Sequence, residues 1–217
     1  MGLSAHARGA LVDVGCGAGA FLARMRDLGW SVAGVDLDPA AVRQARALGL
    51  EVHEGDLASA AHRDNRFDAV TLRHVVEHVA NPMALLRECW RVLKPGGVLS
   101  AVTPNADSLG HRLFGADWRG LEPPRHLQVF TVPSLGALVA RAGFQSVRCR
   151  SIAHARDILQ ESWLLRRGER PGGGRRAPAW ARRLVDGLGC VEQVLVLGHP
   201  RAGEEVWVQA VKGGPAS

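Results

Sequence analysis

Three glycines at alternate positions close the run Val12-Asp13-Val14-Gly15-Cys16-Gly17-Ala18-Gly19. Glycines where a strand hands over to a helix let the backbone turn sharply and let a ligand approach its N–H groups. Asp36 falls 19 positions after Gly17 (36 − 17), at the end of a second apolar run, where a carboxylate can accept both hydroxyls of a ribose. After a third run, Gly55-Asp56-Leu57 offers a carboxylate to an adenine amino group and an apolar neighbour to its ring. His74, His78 and His126 are the candidate proton acceptors, because neutral imidazole takes up a proton near pH 7. For His78 the plainer reading is a hydrogen bond that holds a turn. His126 follows the stiff pair Pro123-Pro124 and reads as a pocket wall or as a loop anchor, and His74 reads also as a contact on the cofactor side. His74-Val75-Val76-Glu77-His78 further spells HxxEH, the zinc-peptidase pattern in which two histidines and a glutamate share a helix face. Asn81-Pro82 follows so closely that one helical turn at most fits, which argues against that chemistry and against a metal site.

These residues need a scaffold that brings loop ends together, and short β-type runs alternate with helical ones from Ala10 onward. That alternation predicts an α/β fold with a parallel sheet covered on both faces. The expected strands are Ala10–Val14, Ser31–Asp36, Glu51–Glu54, Phe67–Leu72, Val98–Thr103, Gln145–Ile152 and Glu205–Val211. Expected helices are Ala20–Leu28, Pro39–Leu48, Pro82–Leu93, Pro133–Ala142, Ala155–Arg167 and Ala179–Leu197. Lys94-Pro95-Gly96-Gly97 reads as a turn, and residues 104 to 130 read as a loop. One domain over residues 1–217 is expected, with a core of 10–152 and 204–212 and substrate-side insertions at about 104–131 and 154–200. Ligands of open α/β sheets sit outside the carboxyl ends of the strands, where these insertions fall.

The 217 residues carry 27 Lys plus Arg against 21 Asp plus Glu, a net charge of +6, and only Lys94 and Lys212 are lysines. Arginine is concentrated only between Arg166 and Arg183, so the charge reads mainly as solvated surface. Cys16, Cys89, Cys149 and Cys190 form no CxxC pair, which suggests neither a zinc knuckle nor a disulfide framework and favours a reducing, cytoplasmic compartment. No apolar run reaches the roughly 18 residues of a spanning helix, and no signal peptide is evident.

A dinucleotide-binding domain and an S-adenosylmethionine-binding domain would both use the glycine loop and Asp36. Asp13 at the head of the loop would repel a pyrophosphate but can help hold the α-amino group of a methionine moiety, and Asp56-Leu57 suits adenine, so the residues favour S-adenosylmethionine. Taken in order, Asp13 to Gly19, Val35-Asp36, Gly55-Asp56, Phe67 to Val70, Glu77-His78-Val79 and Leu93 to Gly97 resemble the successive motifs of class I methyltransferases. Within that family the chain is similar to the small-molecule branch of quinone-biosynthesis O-methyltransferases over residues 10 to 152, including Trp118 through Pro123-Pro124-Arg125-His126-Leu127 to Phe130-Thr131. The resemblance implies a doubly wound, mostly parallel seven-stranded sheet with its last strand antiparallel. It implies cofactor contacts from Asp13, Gly15, Cys16, Gly17, Asp36, Leu37, Asp56, Leu57, Arg73 and His74, and S-adenosylhomocysteine as the product. Helices that commonly precede the first strand in that family do not stand before Ala10, so either the sequence begins short of them or a cover would come from the insertions or from a second subunit in a homodimer.

The expected activity is transfer of a methyl group to a small organic acceptor, on oxygen before nitrogen or carbon. Trp118, Trp163 and Trp180 in the insertions would line an apolar acceptor pocket or simply pack; Ala179–Leu197, with Arg182 and Arg183, would touch an anionic membrane peripherally or pack on its own domain. A nucleic-acid methyltransferase is the enzyme alternative, but no Asn/Asp-Pro-Pro-aromatic motif follows the fourth strand and no basic stripe interleaves with aromatics, so no nucleic-acid partner is expected. A scaffold that keeps the cofactor without turnover is the alternative from another class.

Overall fold

The computed structural model describes residues 9–214 apart from 154, 170–177, 179, 181, 182, 184–186, 188, 190, 191, 195 and 197. Strand β1 (Ala10–Val14), β2 (Ser31–Asp36), β3 (Glu51–Glu54), β4 (Phe67–Arg73), β5 (Leu93–Pro104), β6 (Phe144–Ile152) and β7 (Glu205–Lys212) form one sheet in the order β3-β2-β1-β4-β5-β7-β6. Pairings of β7 with β5 and β6 are antiparallel and the rest are parallel. Reversal of strand order on either side of β1 and β4 makes the sheet doubly wound, and it puts the carboxyl ends of β1, β2 and β4 side by side. The central strands are buried along nearly their whole length, as strands covered on both faces must be.

Helix α1 (Ala20–Asp27), α2 (Pro39–Ala47), α3 (Pro82–Val92), α4 (Leu109–Phe114), α5 (Val132–Arg141) and α6 (Ala155–Arg166) complete the labelled elements. Local chemistry starts two of them. Asp38 caps α2 by accepting from the Ala40 N–H at 2.8 Å and Asn81 caps α3 from Ala84 at 3.0 Å, each followed by proline at the first helical position. Among the described residues no helix is long and apolar enough to cross a membrane.

Two expectations are corrected. Lys94 to Gly97 does not turn the chain; it is a bulge inside β5, because Phe67 pairs with Leu93 and Ala69 with Val98, so four residues oppose Asp68 alone. Residues 104 to 130 are not a plain loop, since α4 and two short 3-10 turns at Gly115–Asp117 and Arg119–Leu121 lie within them. The expected helix Ala179–Leu197 falls largely outside the described residues.

The chain divides into two compact units: Met1–Val102, Gly136–Arg148 and Val208–Ser217 make the first, and Thr103–Leu135 with Cys149–Trp207 make the second. In the first, Leu11, Leu22, Val42, Val52, Ala69 and Val98 belong to one buried cluster, each fully buried leucine or valine contributing about 1.5–3 kcal/mol. In the second, Phe114, Trp118 and Leu159 form a smaller apolar cluster. A buried carboxylate organises it: Glu204 accepts from the Gly110 N–H at 2.5 Å and from Trp118 Nε1 at 2.8 Å.

Candidate active site

The glycine loop of the first unit joins β1 to α1, and its N–H groups are already engaged. Gly15 and Cys16 both donate to the Val35 carbonyl, at 2.9 and 3.1 Å, and Gly17 donates to Asp36 Oδ2 at 2.7 Å. The other Asp36 oxygen accepts from the Asp38 N–H at 2.9 Å. A loop whose first N–H groups point at the end of β2 is no cradle for a pyrophosphate. It instead fixes the Asp36 carboxylate, which keeps lone pairs for further donors. Gly15 is required by its surroundings: φ is +70° and an added Cβ would stand 2.5 Å from Val75 Cγ2. Gly17, at φ +55°, faces open space where its Cβ would be. Cys16 turns its thiol inward, 4% exposed, and burial pushes that thiol up to about 12, so it is neither a nucleophile nor a side-chain contact for a ligand.

Asp13 lies beneath the loop at 1% exposure and holds β1 to β4. Thr71 Oγ1 donates to its Oδ1 at 2.6 Å, and an Arg73 guanidinium nitrogen stands 3.7 Å from its Oδ2, a buried oxygen with no hydrogen-bond partner. Desolvation raises the Asp13 pKa to about 6, against the pull of Thr71 and Arg73. Arg73 in turn lies 4.3 Å from the centroid of Phe21 in α1.

After β3, Asp56 accepts from the Ser59 N–H at 2.7 Å, and the Ser59 hydrogen bonds hold its carboxyl below the usual carboxylate range. Leu57, expected beside an adenine ring, is 1% exposed and its side chain belongs to the interior. The open apolar side chain is Leu37, 75% exposed and adjacent to Asp36.

At the end of β4 the backbone turns through His74, at φ +54°, whose N–H donates to the Val102 carbonyl at 2.9 Å. His78 N–H donates to the Val75 carbonyl at 3.0 Å. The HxxEH stretch is thus a turn, and without a helix face it lacks the zinc-peptidase arrangement. Glu77 belongs both to that HxxEH stretch and to the methyltransferase-like Glu77-His78-Val79, and neither pattern assigns its side chain a role. It is 0% exposed, neither carboxylate oxygen has a hydrogen bond, and Oε1 stands 3.3 Å from Nδ1 of His74, whose side chain is 47% exposed.

In the second unit, His126 is closed in at 6% side-chain exposure. Its Nδ1 lies 2.7 Å from the Gly120 carbonyl, which can only accept, so Nδ1 carries the proton; Nε2 is 3.5 Å from Glu122 Oε2. Glu122 also pairs with Arg119 and Arg125, and these cations outweigh burial to hold its carboxyl below the usual range. Trp118 is 1% exposed, its indole N–H on Glu204, and so packs rather than lining an open pocket. Trp163 meets Trp180 edge to face at 5.9 Å.

The sheet order, the antiparallel β7 and a glycine loop that anchors an acidic residue at the end of β2 define a class I methyltransferase that uses S-adenosylmethionine. A family model described as a methyltransferase domain matches residues 2–148, and the chain belongs to that family. It is 36% identical over 168 residues to a ubiquinone biosynthesis O-methyltransferase of Xanthomonas oryzae pv. oryzae, covering 70% of this chain and 67% of the relative. A protein of the same name from Cereibacter sphaeroides is 34% identical over 149 residues, 63% of this chain and 60% of that one. Among solved structures, a SAM-dependent methyltransferase from Archaeoglobus fulgidus superposes with a TM-score of 0.66 at 18% identity, over 94% of this chain and 86% of that one, a likeness of fold. The residues present fit the cofactor: Asp36 and Asp56 are carboxylates held by backbone N–H groups, Gly17 leaves open space between loop and ligand side, and Asp13 keeps an unpartnered buried oxygen.

Proposed function

We propose that this methyltransferase acts on a hydroxyl of a small organic acceptor, of the kind found in quinone precursors. The observation that carries this reading is the 36% identity, over 70% of the chain, to a relative named for ubiquinone biosynthesis O-methylation. In this reading Asp36 binds the ribose hydroxyls, Asp56 the adenine amino group, and Leu37 covers the ring; Asp13, with Arg73, serves the methionine end. Leu57 and Cys16 support the site from within, contributing backbone alone. S-adenosylmethionine supplies a methyl group on a sulfonium, and Gly15 and Gly17 with Asp36 fix where that donor lies. Holding donor and acceptor in line is the main source of rate, worth up to about 7–11 kcal/mol in well-oriented systems.

A hydroxyl must lose its proton, so a base is required. His74 fits this role best, being half-exposed at the carboxyl end of β4 beside the glycine loop. His126 serves as an anchor of its own loop through Gly120 and Glu122, and His78 belongs to the turn that Val75 closes.

The test is methyl transfer from radiolabelled S-adenosylmethionine to a panel of catechols, hydroquinones and matched amines. O-methyl products formed with equal S-adenosylhomocysteine support the reading. Turnover of the amines alone, or tight cofactor binding with no turnover of any acceptor, overturns it.

A further inference from the structure

A carboxylate with no hydrogen bond and no exposure is costly, because neither water nor protein donors replace its lost hydration. Glu77 is such a group: its side chain is 0% exposed and neither oxygen accepts a hydrogen bond. A buried charge so poorly compensated adds little to the stability of the fold. Its presence therefore asks for a role outside stability, and the adjacent group names one. His74 Nδ1 is 3.3 Å from Glu77 Oε1, three residues away across a turn that places His74 at φ +54°, a backbone region disfavoured for a residue with a Cβ. The turn lies against the cofactor loop. Val75 fills the space a side chain at Gly15 would need, and Leu72 of β4 pairs with Val14 of β1.

We propose that Glu77 is a positioning residue: the charge of its buried carboxylate, 3.3 Å from Nδ1, favours the His74 tautomer with the proton on Nδ1 and the lone pair on Nε2. This deepens the O-methylation reading and rests on it. The acceptor O–H gives its proton to His74 Nε2, and the acceptor oxygen uses a lone pair to form the new O–C bond. The C–S bond breaks with its electron pair left on sulfur, yielding the neutral thioether. His74, now a cation beside the Glu77 carboxylate, returns its proton to solvent.

The experiment compares Glu77→Leu, Glu77→Gln and His74→Gln with the double variant, reading melting temperature, S-adenosylmethionine Kd, kcat and the 15N imidazole spectrum. Expected for Glu77→Leu are a melting temperature equal to or above wild type, an unchanged Kd, a kcat at least tenfold lower, and a His74 proton that moves from Nδ1 toward Nε2. Glu77→Gln, which keeps an acceptor oxygen, retains more activity, and the double variant is no slower than His74→Gln alone. The proposal is overturned if Glu77→Leu lowers stability and kcat together, if kcat and tautomer stay as in wild type, or if the two losses multiply. Should wild type methylate no hydroxyl, the O-methylation reading fails by itself, while the tautomer and melting data still decide whether Glu77 holds His74.

Discussion

The glycine loop and the Glu204 cluster solve opposite problems with the same chemistry, a carboxylate that accepts from N–H groups. Asp36 takes its bonds from Gly17 and Asp38, within 19 residues, and stays partly exposed, so its remaining lone pairs face outward. Glu204 takes its bonds from Gly110 and Trp118, 94 and 86 residues away, and is fully buried. Burial raises its pKa despite those donors. The first carboxylate is held by neighbours and left partly open, as the proposed ribose contact requires; the second is consumed in joining distant segments. The difference lies in where the leftover acceptor capacity points.

If that contrast is right, substitutions on the two sides separate stability from binding. The largest effect is expected from Glu204→Ala, which leaves the Gly110 N–H and the Trp118 indole buried without an acceptor; about 3 kcal/mol of unfolding free energy is lost in a urea titration. Stability unchanged within 0.5 kcal/mol, about the scatter of a surface change, would remove the Glu204 hub. Next comes Asp36→Ala, expected to weaken S-adenosylmethionine binding by about 2 kcal/mol, some thirtyfold by calorimetry, with much less effect on melting. An equal Kd in the folded variant would sink the site assignment. Gly15→Ala should cost about 1–2 kcal/mol of stability, from positive φ and the clash with Val75 together, whereas Gly17→Ala carries only the backbone term and instead intrudes on the ligand side.

The smallest effect depends on pH. The Asp13 pKa is raised to about 6 in the fold from 3.8, so its ionised form is disfavoured by folding. Stability from this group is complete below pH 3.8 and is lost as pH rises through about 6. Asp13→Asn should therefore be more stable than wild type by about 1 kcal/mol at pH 8, after the lost Thr71 and Arg73 contacts are set against the relief. The advantage shrinks toward pH 5. Thermal melts at pH 8, 6.5 and 5 check this, and an advantage that grows on acidification would show that the sign is wrong.

Much of the first unit was legible because its signals are local. Asp38-Pro39 and Asn81-Pro82 announce helix starts through a cap and a fixed φ, and the glycine loop announces itself through spacing. Lys94-Pro95-Gly96-Gly97 misled for the same reason: its residue types favour a turn, but pairing of Phe67 with Leu93 and of Ala69 with Val98 keeps the segment inside a strand. Six-residue α4 is too short for periodicity to reveal, and its cap, Ser108 accepting from the His111 N–H at 3.0 Å, emerges only in the structure. Glu77 stood in two motifs, HxxEH and Glu77-His78-Val79, but neither showed that its carboxylate is buried beside His74.

The sequence by itself determined the α/β alternation through its hydrophobic patterning, placed Asp36 and Asp56 at strand ends by spacing, and through its ordered motifs carried the resemblance to methyltransferases. Only the tertiary structure decided that Leu57 and Cys16 turn inward, that Leu37 stays outside, that His126 is tied to Gly120, and that His74 stands over a buried Glu77. Burial and the free lone pairs of a carboxylate are properties of everything packed around a residue, and no local pattern along the chain encodes them.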